Sequence, residues 1–145
     1  MRSGYLSIET HRDRPGLVHL LVTSEPLETA SGSQGVPRIR YIARFSDREA
    51  ALMHTHEILK RRLLDLDTHM YRVALPQAIG AIESLDLSHR RIYLDGDLSA
   101  GETRAVRAWT SRFRNRRRRW DRLFEALGYI GLGLLLFNLF FLSLG

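Results

Sequence analysis

In 145 residues the chain carries a formal charge of +6 and no cysteine, which excludes a disulfide framework, a thiolate metal site and a thiol nucleophile and fits a reducing compartment. The charge is unevenly divided: residues 1–103 hold thirteen basic and fourteen acidic side chains, whereas Arg104 to Glu125 hold nine arginines against Asp121 and Glu125. The head therefore lacks the overall positive field typical of a nucleic-acid binder, and its roughly 100 residues suffice for one domain with one core.

The N-terminal MRSGYLSIETHRDRPG has no apolar run, so no secretory signal is expected there. Tyr5 to Glu9 and Leu17 to Thr23 read as strands, and the turn formers Pro15 and Gly16 between them predict a hairpin. The following SEPLETASGSQGVPR is rich in Ser, Gly and Pro and should be irregular, with at most a short helical turn. In RIRYIARF, Ile39, Tyr41, Ala43 and Phe45 alternate with arginines as in a half-buried strand, and Ile42 breaks the pattern. A helix follows from Asp47, with Ser46 as N-cap and Glu49 completing a capping box. Its apolar face is Ala51, Leu52, Ile58, Leu59, Leu63 and Leu66. Met70 to Val73 is strand-like, Leu75 to Leu85 is helical with proline in its first turn, and Arg91 to Leu94 reads as a final edge strand. Ser99, with Glu102 three residues on, caps a last helix that meets no stop signal except glycines before Leu144.

That last helix changes character along its length. Ala126 to Gly145 is twenty residues without a charge, with Asn138, Ser143 and the Tyr129 hydroxyl as its only polar side-chain groups. At about 1.5 Å per residue such a run covers the roughly 30 Å of bilayer hydrocarbon. Arg112, Arg114, Arg116, Arg117, Arg118, Arg119 and Arg122 precede it and are expected to contact anionic lipid or, alternatively, nucleic acid. Positive flanks stay inside, so the expected topology is single-pass in an inner (cytoplasmic) membrane, head in the cytoplasm and C-terminus across. Trp109, Trp120 and Tyr129 suit the headgroup boundary. The chain thus divides into a domain at 1–98, a basic juxtamembrane helix at 99–125 and a transmembrane helix at 126–145.

Five short pieces, GYLSI at Gly4, PGLVHLLVTS at Pro15, GVP at Gly35, EAALMHTHEIL at Glu49 and MYRVALPQAIGAI at Met70, occur in order. Together they resemble the GIY-YIG nuclease superfamily, in the DNA-binding branch named for a bacteriophage T-five open reading frame. The resemblance covers about Gly4 to Leu85 and implies an α+β fold, a three-stranded antiparallel sheet flanked by helices. Nuclease chemistry in that family uses a tyrosine on each hairpin strand, or a lysine for the second, an arginine on the first helix and a metal-holding glutamate. Those groups activate water, stabilise phosphoryl charge and bind a hard cation. Here Ser7 stands at the first tyrosine, His19 at the lysine and His69 at the glutamate, while the arginine helix is shortened to SEPLETASGSQ with no arginine. The resemblance therefore implies a degenerate site, with Tyr5, His56 and Glu57 as fallback catalytic candidates.

Other constellations favour structural roles. His54 and His56 are two apart and cannot share a helix face, so they make a poor metal pair. Asp65 with Asp67, and Asp95 with Asp97, read as turn formers. No cofactor, metal or small-molecule substrate is expected. Asn138 is either tolerated in the span or hydrogen-bonded to a partner helix. The reading that results is a noncatalytic, membrane-anchored GIY-YIG-like domain, an accessory or assembly subunit of an integral membrane complex. The alternatives are a membrane-tethered DNA or RNA binder and an active nuclease.

Overall fold

The structure, a computed structural model, describes residues 2–27 and 37–143. Gly35 and Val36, with most of the Ser- and Gly-rich linker, lie outside the described residues. The elements in order are β1 (Gly4–Thr10), β2 (Leu17–Thr23), β3 (Arg38–Phe45), α1 (Arg48–Leu59), β4 (Leu63–Asp65), β5 (Met70–Arg72), α2 (Leu75–Glu83), β6 (His89–Leu94) and α3 (Ala100–Ser143). Contacts divide the chain into two compact units, Met1–Ser111 and Arg112–Gly145.

The fold class is α+β, but the sheet has six antiparallel strands in the order β4-β5-β2-β1-β3-β6, a correction to the three that the resemblance implies. Met70 to Val73 and Arg91 to Leu94, expected as strands, supply β5 and β6, while β4 replaces residues expected to continue the helix. β4 and β5 are three residues each, too short to display a period of two. In β6 the register shift between Ile42 and Ala43 of its partner leaves Ile92 as an extra residue, and Ile92 is exposed. Arg40 in β3 and Leu64 in β4 are extra residues of the same kind.

Register decides which side chains meet. Ile8 lies opposite Leu20 and Tyr41, Leu6 opposite Ala43, and Val18 opposite Tyr71, so these residues share one face. All are buried, beneath α1 and α2, together with Ala51, Leu59, Ala78, Ile79 and Ile82. Each fully buried Leu or Ile here contributes about 1.5–3 kcal/mol relative to exposure. Ile42 is buried on the other face, opposite Ser7 of β1, which is why it interrupts the apolar alternation of β3.

α1 begins one residue later than the Ser46 cap implies. Asp47 is the N-cap, its carboxylate accepting from the Ala50 N–H at 3.1 Å, while the Ser46 hydroxyl turns toward the Ser88 carbonyl at 3.4 Å. A carboxylate is the stronger acceptor at this positive helix end. α1 also stops at Leu59, so Leu63 joins β4 and Leu66 is exposed rather than extending the helical face. The Ser99–Glu102 box at α3 forms as expected, with the Glu102 N–H donating to Ser99 Oγ at 3.1 Å and the Ser99 N–H to Glu102 Oε2 at 2.8 Å.

In α2 the five residues Ala78 to Ile82 are all buried, so this helix is covered on more than one side. Gly80 explains one of them. A Cβ there would lie 2.7 Å from Trp109 Cβ and 3.1 Å from the Thr110 nitrogen, so only glycine allows α2 to press against the first turns of α3. Gly→Ala in a helix ordinarily stabilises by about 0.5–1 kcal/mol. Gly80→Ala should instead destabilise by about 1–3 kcal/mol through overpacking, while Gly101→Ala, whose Cβ would meet only Ser99 Oγ at 3.7 Å, should not. Denaturant midpoints of the two variants would check the opposite signs.

Candidate functional site

The hairpin brings Ser7 and His19 onto one sheet face. Ser7 pairs with Leu21, and the residue two before Leu21 is His19, paired with Glu9. Ser7 is fully buried, and its Oγ has no hydrogen-bond partner, which ordinarily costs about 1–3 kcal/mol. His19 Nδ1 lies 3.0 Å from Glu9 Oε2, and His11 Nε2 lies 3.8 Å from the same oxygen. Tyr5 lies on this face too, half-buried, opposite Thr23 and Arg44. His69 sits in the turn before β5 with φ of 50°, where its carbonyl accepts from the Leu20 N–H at 3.1 Å. Left-handed backbone is uncommon for a histidine, and the hydrogen bond to β2 helps to fix it.

His56 and Glu57 belong to α1, beneath the opposite face. His56 Nδ1 is 3.3 Å from the hydroxyl of Tyr71, a core residue. Glu57 is exposed and pairs with Lys60 at 2.6 Å, and this hydrogen bond holds its carboxyl below the usual range. Tyr5 and the His56–Glu57 pair are therefore separated by the sheet, so the fallback tyrosine and its helix partners do not converge. Among the described residues no three His, Asp or Glu side chains gather as a metal site.

Two polar hubs escaped the sequence reading. Tyr41 is wholly buried and donates its hydroxyl to Glu83 Oε1 at 2.8 Å, and Arg91 Nε donates to the same oxygen at 2.8 Å. Glu83 thus ties β3 and β6 to the end of α2. At the start of β3, buried Asp95 accepts from Arg38 Nη2 at 2.8 Å, and Arg40 Nη1 lies 3.1 Å from its second oxygen. Arg38 also reaches Asp97 at 2.6 Å, holding that carboxyl below its usual range. Asp95 and Asp65 still act as turn formers, each accepting an N–H two residues on at 3.1 Å. The arginine partners were invisible because strand register, not spacing along the chain, brings them together.

The second unit presents the remaining candidates. Arg112, Arg114, Arg116, Arg117, Arg118, Arg119 and Arg122 are all exposed. At about 100° per residue they point around the whole circumference of α3 rather than along one stripe. Beyond them every large apolar side chain from Trp120 to Leu142 is exposed, from 49 % at Leu123 to 78 % at Leu142. This helix is long and apolar enough to cross a membrane, and none of its most apolar stretch is buried in the protein. Asn138 opens onto a shallow groove with Leu134, Leu135, Leu139 and Leu142. No protein-family model, curated protein or solved structure matches this chain.

The Glu83 hub has a titration consequence. Burial, reinforced by the Glu83 carboxylate, holds the Tyr41 phenol well above its ordinary value, and burial raises Tyr71 as well. A raised folded-state pKa contributes stability that is complete below the unfolded phenol value of about 10 and is lost as pH rises beyond it. Denaturant midpoints of the full chain in detergent should hold between pH 7 and 9 and fall above about pH 10. The fall should be shallower for Tyr41→Phe, and equal slopes would show that folding does not raise the pKa of this phenol.

Proposed function

We propose that this chain is a membrane-anchored, noncatalytic binding domain of GIY-YIG-like ancestry, an accessory or assembly subunit that meets an integral membrane partner. The observation that carries the reading is the apolar stretch of α3, exposed along its whole length and preceded by a cationic collar. Exposed apolar area on this scale calls for a bilayer or a partner. The collar favours lipid over DNA. A helix that reads a groove concentrates its contacts on one side, whereas arginines spread around the circumference suit a helix surrounded by anionic headgroups. The positive flank orients the head to the cytoplasm and carries the C-terminus across.

Absence of catalysis is the second part of the proposal. Ser7 is buried in the sheet without a partner, and the fallback residues Tyr5, His56 and Glu57 lie on opposite faces. Water activation, phosphoryl-charge stabilisation and metal binding would have to act on one transition state, and no described cluster joins them.

Deleting 126–145 should move the chain from the membrane fraction to the soluble one, and protease added outside intact cells should spare the head. A truncated form that still resists high-salt extraction would point to a different anchor, and digestion of residues 1–103 from outside would reverse the topology. In nuclease assays with Mg²⁺ or Mn²⁺ the full chain in detergent should leave DNA and RNA intact. Metal-dependent cleavage that disappears in Tyr5→Phe, His56→Ala or Glu57→Gln would restore the enzyme reading.

A further inference from the structure

Resting on the membrane reading above, we propose that the span pairs with a second copy of this chain, in parallel, through a seam centred on Asn138. Phe124, Gly128, Gly131, Leu135, Asn138 and Leu142 recur at alternating steps of four and three residues, the 3.5-residue period of a left-handed helix pair. Leu135, Asn138 and Leu142 line the shallow groove on this face. A Cβ added at Gly128 or Gly131 would meet no atom within 4 Å, so the seam is open on the lone helix and lets a partner backbone come close.

Asn138 identifies the occupant. It stands twelve residues after Ala126, about 18 Å into a hydrocarbon layer of roughly 30 Å. There is no water at that depth, and the side chain is too short to reach either interface as lysine or arginine does. Its amide carries both a donor and an acceptor. Copies inserted in the same direction hold Asn138 at the same depth, so the two amides face each other across a twofold axis and each donates to the other. A partner of different sequence would need a polar group placed at that level by coincidence. A single asparagine at such a seam also fixes register and favours two strands. The arginine collars of the two chains repel, which confines the pairing to the apolar segment and leaves anionic headgroups to screen the charge.

The full chain has no cysteine, so single cysteines report pairing without background. After reconstitution in phosphatidylcholine–phosphatidylglycerol vesicles and a carbonate wash, Leu135→Cys and Leu142→Cys should cross-link on oxidation. Leu136→Cys and Phe140→Cys, on the opposite side of the helix, should not. In energy-transfer measurements on diluting the protein with lipid, Asn138→Leu should dissociate at about three- to tenfold higher protein-to-lipid ratio than wild type. A chain stripped by carbonate would overturn the membrane reading itself. A retained chain that cross-links equally on both sides, or whose association ignores Asn138→Leu, would overturn the pairing and leave the anchor standing.

Discussion

Apolar side chains that find no cover within their own protein constrain everything else in this molecule. The head satisfies the constraint internally: the Leu6, Ile8, Leu20 and Tyr41 face of the sheet is closed by α1 and α2, and α2 is backed by α3 through Gly80. From Trp120 to Leu142 the large apolar side chains are all exposed. One polypeptide therefore carries two solutions to the same solvation problem, a core built by packing and a surface that needs a surrounding phase.

Electrostatics follows that division. In the head, three arginines of the β3–β6 pair meet carboxylates: Arg38 and Arg40 meet Asp95, Arg38 also Asp97, and Arg91 meets Glu83. Along Arg104 to Glu125 the sequence carries nine arginines and two acidic residues, Asp121 and Glu125. The head's charge serves structure, since Asp95 holds Arg38 and Arg40 of β3 and Glu83 holds Arg91 of β6, while the collar's positive charge remains in excess.

Much of this was legible in the sequence, and the exceptions have physical causes. The hairpin, β3, the proline-started α2 and the capped α3 were readable because each has its own local signal: alternation, turn residues, proline at the first turn, a capping box. β5 and β6 were read at Met70 to Val73 and Arg91 to Leu94, whereas β4, three residues long with an extra Leu64, lacks the period that marks a strand. The α1 cap shifted from Ser46 to Asp47 because adjacent capping residues compete and the carboxylate wins. Of the candidate residues, Ser7 and His19 do share a face, whereas Tyr5 and the pair His56 and Glu57 are parted by the sheet, which no linear spacing reveals. The Glu83 and Asp95 hubs depend wholly on register.

The bulges have a consequence for crowding. A sheet of six strands exposes two edges, β4 and β6, whose unpaired backbone groups are templates for another chain. Under the proposed anchoring, heads would share a thin layer, where the effective concentration of neighbours far exceeds that in free solution. An edge harmless to a dilute protein becomes a route to sheet-to-sheet fusion under such confinement. Three-residue β4, its extra Leu64, the extra Ile92 in β6 and the adjacent Arg90 and Arg91 each spoil that template, by shortness, by twist or by charge. The shortness and extra residue that hid β4 from sequence patterning thus also make it a poor template for a neighbouring sheet.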